Sequence, residues 1–359
     1  MKFRNYITVL MSLLLVLSFA ETSDANSPNP FQAANKKLAR IGQRPAVDGR
    51  ARFSKLFCRK LELDGRKLGY KKSCKAYIRD AKLIGKTKQP TKQSPIKIRI
   101  AMIGGIFSDC VREKISMFSN ARPYVQSAKS NFINSMSFKY IRVSGYSSSK
   151  ENAKLISSAI GKMNIGKTER LVVVSYSKGT SDLIEALASY PKLGKKIDAV
   201  LSVAGVVLGS PLAENKGVFE KFFKSFKTGC RGPDGEGLQS ITTVNRQKFL
   251  KKNNLPERVK YYSLVGNVSK ARTSLILRPL RKLLALRGVN DSDAQVPTSN
   301  AVLPGSSVLG YMNADHWAIA MPFEKSFPLL TKTFINRNIF PREIMLSSAI
   351  EVIASDLSR

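Results

Sequence analysis

Short apolar runs alternate along most of the chain with stretches whose apolar positions recur every three or four residues. The runs are Ile96–Ile103, Lys139–Val143, Arg170–Val174, Ile197–Ala204, Val259–Val265 and Ser307–Tyr311, and each predicts a strand. Helical spacing falls between them, at Val111–Ala128, at Glu151–Met163 through Ala153, Ile156 and Ile160, and at Ser181–Tyr190. Strands alternating with helices predict βαβ units and a mostly parallel sheet. Strands that are apolar on both sides need helices on both faces. The expected fold class is α/β.

Two stretches break the alternation. Lys216–Phe226 is basic, with Phe219, Phe222, Phe223 and Phe226 at helical spacing, and Ser274–Leu286 is basic and amphipathic. Each fits a packing helix or a lid over a cleft, and residues 207–255 are the expected cap. Before Ile96 there is no long apolar strand. Residues 36–99 instead hold 21 Lys and Arg against Asp48, Glu62, Asp64 and Asp80, a net +17 within a chain total of +35. Gly85–Pro95 reads as a linker. Residues 26–96 are therefore expected to form a basic helical extension, an appendage to one domain spanning residues 97–359.

Met1-Lys2-Phe3-Arg4 precedes an apolar run from Tyr6 to Ala20, followed by small polar residues. That order reads as a secretory signal over residues 1–25, too short in its apolar part for a membrane anchor. The expected location is the periplasm or the medium. Four cysteines follow, Cys58, Cys74, Cys110 and Cys230. An even number in an oxidising compartment predicts disulfides. Four cysteines allow three connectivities, of which the local Cys58–Cys74 loop with a long-range Cys110–Cys230 link is the one expected. No Cys-x-x-Cys occurs and the chain has one histidine, so a zinc site is not expected, and the chemistry read below implies no metal or organic cofactor.

The chemistry centres on the single histidine of the chain, His316. A nucleophilic serine needs a base within hydrogen-bond reach, and the base needs an acid to orient it. Ser177 follows the apolar run Leu171–Val174 and precedes a helix, with small Ser175 and Gly179 two residues away on either side. A strand-to-helix turn of that kind presents a hydroxyl free of its neighbours. A turn with Ser177 merely capping the helix is the bland reading, although Thr180 or Ser181 can serve as cap. Asp291, Asp293 and Asp315 are candidates for the acid. Asp315 would have to fold back on its neighbour, and only one of Asp291 and Asp293 can point inward. Two backbone N–H groups must meet the developing negative charge. Lys178, next after the serine, supplies one. The turn Gly104-Gly105-Ile106-Phe107 supplies the other, with Ile106 preferred and Phe107 next.

These residues resemble the α/β-hydrolase family, and within it exported bacterial esterase- or lipase-like serine hydrolases. The resemblance runs from Ile96 to the C-terminus. It is carried by Gly104-Gly105-Ile106-Phe107, Gly145-Tyr146-Ser147-Ser148-Ser149, Ser175-Tyr176-Ser177-Lys178-Gly179, Val203-Ala204-Gly205, Gly209-Ser210-Pro211-Leu212-Ala213, Asp293-Ala294-Gln295-Val296 and Ala314-Asp315-His316-Trp317. It implies Ser177 as nucleophile, His316 as base and Asp293 as acid, the last because the family often has Asp-Gly-x-Val there. The chain departs from the family pattern at Ser175, where the first elbow glycine is usual, and at Gly104-Gly105, where His-Gly is frequent.

The expected activity is hydrolysis of a carboxylic ester, with lipid esters among the expected substrates. Two rivals are acyl transfer to an alcohol by the same residues and a basic polyanion-binding protein on a hydrolase scaffold. Net charge argues partners rather than fold. It predicts attraction to an anionic envelope polymer or membrane surface through residues 36–99, and no specific nucleic-acid motif accompanies it. Deletion of residues 36–92 is expected to spare turnover of a small ester.

Overall fold

The computed structural model describes residues 29–79, 94–106, 116–128, 130–215, 217, 236–323 and 339–359. Eight strands form one sheet: β1 (Val47–Asp48), β2 (Ile78–Arg79), β3 (Ile96–Ile103), β4 (Ile133–Ile141), β5 (Glu169–Tyr176), β6 (Ala199–Val203), β7 (Lys260–Gly266) and β8 (Ser307–Met312). The order across the sheet is β1-β8-β7-β6-β5-β3-β4, with β2 also paired to β8. Every pairing is parallel except β2 with β8. The expected α/β class with a mostly parallel sheet is what the chain forms.

The main helices are α1 (Pro30–Arg40), α2 (Arg50–Asp64), α3 (Ala121–Ser127), α4 (Ser149–Gly161), α5 (Lys178–Ser189), α6 (Thr243–Lys252), α7 (Arg278–Ala285) and α8 (Arg342–Leu357). They divide between the two faces as strand alternation requires. Leu171 and Val173 of β5 join a core with Ala34, Leu38, Ile156, Ile160, Leu183 and Leu187. Val172 and Val174 join the opposite core, with Phe53, Phe57, Val125, Ile350 and Ile353. Successive strand residues point to opposite faces, so one apolar run serves two cores.

Three elements differ from expectation for physical reasons. β4 begins at Ile133 rather than Lys139, because Ile133, Met136, Phe138, Tyr140 and Ile141 pack while Asn134, Ser135, Ser137 and Lys139 face solvent on the sheet edge, which interrupts the apolar pattern. The helix expected over Val111–Ala128 is confined, among the described residues, to α3. The helix α8 was not foreseen. It is buried almost all round from Arg342 to Ser355, and such a helix carries no polar face to give it a period.

The largest difference concerns the basic segment. It is helical, as expected, but it is not an appendage. β1 and β2 both pair with β8 and cover what would otherwise be a bare sheet edge, an arrangement that prevents edge-to-edge association. Phe53, Phe57, Leu61, Tyr70 and Tyr77 are buried in the core beneath α8. A disulfide joins Cys58 to Cys74. Several of the cations are used internally: Arg50 binds Asp48 at 2.9 Å, Arg52 binds Asp356 at 2.7 Å, and Lys60 binds Glu351 at 2.7 Å. The residues presumed to form the signal, Cys110 and Cys230, the Phe-rich stretch 218–226 and most of the linker lie outside the described residues.

Each fully buried large apolar side chain contributes about 1.5–3 kcal/mol. Five of them rival the whole stability of a typical domain, about 5–15 kcal/mol. Deletion of residues 29–79 should therefore abolish the cooperative thermal transition seen by circular dichroism. A truncated chain that melts cooperatively would show instead that β8 tolerates an open edge.

Candidate active site

β3 lies between β4 and β5, so the chain turns one way after β3 and the other way after β5. The carboxyl ends of strands at such a reversal leave a crevice, the usual ligand position in open α/β sheets. Ser177 stands there, between the last residue of β5 and the first of α5.

Its backbone has φ 55° and ψ −130°, a conformation that L-residues avoid. The surroundings hold it. The Ser177 N–H donates to Val203 O at 3.3 Å, and its carbonyl accepts from the N–H groups of Thr180 and Val206, both at 3.1 Å. The neighbours must be small. A Cβ on Gly179 would lie 2.3 Å from Gly104 O, and one on Gly105 would lie 2.7 Å from Ser177 Cβ. At the other flank, Ser175 fits because its hydroxyl is within 2.9 Å of Thr180 Oγ1, which in turn is 3.2 Å from Ser202 Oγ.

His316 Nε2 is 2.8 Å from Ser177 Oγ, and His316 Nδ1 is 2.6 Å from Asp293 Oδ2. All three residues are buried, Ser177 at 6%, His316 at 3% and Asp293 at 1% exposure. Asp293 sits in a tight turn bridged by Ser292 and Pro297. Its Oδ1 accepts from the N–H groups of Gln295 at 2.9 Å and Val296 at 2.7 Å, leaving Oδ2 for the imidazole. Ala294 holds φ 76° in this turn, a left-handed position that explains why glycine is at home there. His316 is tied to the same turn by its own N–H, which donates to Asp293 O at 2.8 Å.

The other two carboxylates point elsewhere. Asp291 Oδ1 accepts from Asn267 Nδ2 at 3.1 Å. Asp315 accepts from the Ser274 N–H at 2.8 Å, the Ser274 hydroxyl at 2.5 Å and the Ala318 N–H at 2.9 Å. Burial pushes the Asp315 carboxyl above its usual range, and the hydrogen bonds from Ser274 and Ala318 oppose that rise. Asp315 thus ties the stretch after His316 to the residues before α7. Tyr176, which sequence reasoning passed over, donates from its hydroxyl to His316 O at 2.6 Å, with its ring 5.2 Å from the imidazole. Burial raises its phenol well above the ordinary value, so it remains a donor. Its position one residue before the serine was the only signal for it.

The Lys178 N–H opens α5 and is one of the helix's unpaired donors. The Gly104-Gly105-Ile106 turn lies against Ser177 from the end of β3, with Ile106 buried at 7% exposure. Phe107 lies outside the described residues. Among the described residues no three His, Cys, Asp or Glu side chains gather closely enough to hold a metal ion. A hydroxyl on an imidazole on a carboxylate, with helix N–H groups alongside, can carry out nucleophilic acyl chemistry.

A scan of protein-family models finds no match, and neither does a search of curated proteins. Solved structures do match. The crystal structure of a metagenomic carboxyl esterase is 32% identical with a TM-score of 0.76, covering 97% of this chain and 99% of that one. The mature form of a lipase from Bacillus licheniformis is 20% identical with a TM-score of 0.50, covering 69% of this chain and 94% of that one, a likeness of fold alone. Identity at the level of the esterase, sustained over nearly the whole of both chains, goes beyond shared topology, and this chain belongs to the α/β-hydrolase family.

Proposed function

We propose that the protein hydrolyses carboxylic esters through an acyl-enzyme on Ser177. The observation that carries this reading is the row of short hydrogen bonds from Ser177 Oγ through His316 to Asp293 Oδ2. A relative described as a carboxyl esterase supports the ester as substrate. Ser177 Oγ attacks the ester carbonyl carbon while its proton passes to His316 Nε2. Asp293 fixes the tautomer with the proton on Nδ1 and stabilises the imidazolium. The N–H groups of Lys178 and Ile106 receive the oxyanion. His316 then returns the proton to the leaving alkoxide as the carbonyl reforms. Water then attacks the acyl carbon, losing a proton to His316, and the acid departs as His316 returns that proton to Ser177 Oγ.

Ser177→Ala and His316→Ala should each lower turnover of a short p-nitrophenyl ester by about 10³ or more, with the double variant little worse, since the residues act as a unit. Asp293→Asn should cost far more than Asp291→Asn. Full activity in either Ser177→Ala or His316→Ala would refute the mechanism, and a larger loss in Asp291→Asn would move the acid.

The same proposal includes export and an anionic surface as partner. It is supported by the apolar leader, by the Cys58–Cys74 disulfide, which suits an oxidising compartment, and by the net +17 over residues 36–99. Lys67, Lys71, Lys72 and Lys75 of this segment are each exposed. The protein should co-sediment with vesicles rich in anionic phospholipid at low salt and be released by about 0.5 M salt, where the Debye length has shrunk to a few ångströms. Changing those four lysines to glutamate should weaken sedimentation while sparing turnover of a soluble ester. Unchanged sedimentation would place the attraction elsewhere on the protein.

A further inference from the structure

Lys178 has two roles to reconcile. Its N–H is the first donor of the proposed oxyanion site, yet its side chain is not directed to solvent. The ammonium is fully buried, at 0% exposure, and binds both oxygens of Asp182 at 2.9 and 3.0 Å within the first turns of α5. Burying such a pair is costly and is weak evidence for stability, so its presence beside the proposed nucleophile needs another account.

The contacts continue beyond the pair. Asp182 Oδ2 also accepts from Asn152 Nδ2 of α4 at 2.8 Å. Asn152 is itself fully buried and reads the backbone of Ser144 on both sides: its Nδ2 donates to Ser144 O at 2.6 Å, and its Oδ1 accepts from the Ser144 N–H at 3.1 Å. The next residue, Gly145, lies directly on Ile106. A Cβ there would fall 1.6 Å from Ile106 O and 2.9 Å from Ile106 Cα, so only glycine allows the approach. Ile106 is the second donor of the proposed oxyanion site. A chain of buried and part-buried polar contacts and one backbone contact therefore runs from the residue that offers one N–H to the residue that offers the other.

Resting on the proposed acyl-enzyme mechanism, we infer that Lys178, Asp182 and Asn152 are positioning residues that set the spacing of the two oxyanion donors. Preorganised donors help because they need not reorient as charge develops. Displacement of about an ångström is enough to lose much of the effect. The cluster should thus matter more to the transition state than to the bound ester.

The test uses Asn152→Ala in the full chain, which breaks the link to Ser144 and leaves the Lys178–Asp182 pair intact. Active sites are first counted by titration with a fluorophosphonate, so that misfolded protein does not enter the rate. Per titrated site, kcat for a p-nitrophenyl ester should fall about ten- to a hundredfold, with KM changed less than about threefold. Inhibition by a trifluoromethyl ketone, which forms a tetrahedral oxyanion on the serine, should weaken in proportion. Binding of the corresponding uncleaved amide, a ground-state analogue, should be unchanged. Asn152→Ser, a smaller side chain that keeps one hydroxyl, should give the same split in smaller measure, so a failure of Asn152→Ala to fold does not end the test. Wild-type kcat and ketone inhibition per site would overturn the inference, as would equal losses for ketone and amide, which signal general deformation. Ser177→Ala run alongside separates the two readings: retained turnover there contradicts the mechanism itself, whatever the Asn152 variant does.

Discussion

Ser177 occupies a backbone conformation that a non-glycine residue rarely holds, at φ 55° and ψ −130°, and the site is assembled around that constraint. Such strain costs on the order of 1–3 kcal/mol and persists only where the surroundings over-determine it. Here β5 is fixed between β3 and β6 in the buried centre of the sheet. The Ser177 carbonyl and N–H are both held by hydrogen bonds to the ends of β6 and α5. The turn lifts the hydroxyl away from its own strand and toward His316, whose position follows from a second unusual turn at Asp293-Ala294. Two strained turns on a rigid sheet thus fix a hydroxyl, an imidazole and a carboxylate with little freedom left in any of them.

The basic N-terminal segment changes character once its contacts are considered. In sequence it is a run of lysine and arginine with few acids, which suggests a soluble appendage. In the fold its apolar residues Phe53, Phe57, Leu61, Tyr70 and Tyr77 are core, its short strands close the β8 edge, and part of its charge is spent on Asp48, Asp356 and Glu351. Among the described residues, Lys36, Arg59, Lys67, Lys71 and Lys72 are exposed, and the proposed anionic partner rests on cations of this kind.

Legibility in the sequence followed burial symmetry. The central strands β5, β6 and β7 were readable because both faces are buried, and β3 because its apolar residues alternate with Lys97 and Arg99 before becoming continuous from Ile100. The edge strand β4 was only half readable because one face is polar. The helix α8 was hidden because it has no polar face, and the two-residue strands β1 and β2 are too short to carry a pattern. Within the site, Ser177 and His316 could be picked out from the turn composition and the single imidazole, whereas the residues alone left Asp291 and Asp293 open and only the family resemblance pointed to Asp293; the structure brings Ser177, His316 and Asp293 together. The Lys178–Asp182–Asn152 cluster could not be read. A Lys and an Asp four residues apart on a helix usually describe a solvated surface pair, and nothing local says that this one is buried or that Asn152, thirty residues earlier, completes it.

The central claim is that Ser177 is a nucleophile activated by His316. The most direct measurement is intact-mass analysis of the protein after reaction with a fluorophosphonate, followed by peptide mapping. One adduct per chain on Ser177, absent in Ser177→Ala and formed far more slowly in His316→Ala, is the predicted result. Stoichiometric labelling at another residue, or labelling undiminished in Ser177→Ala, would contradict it.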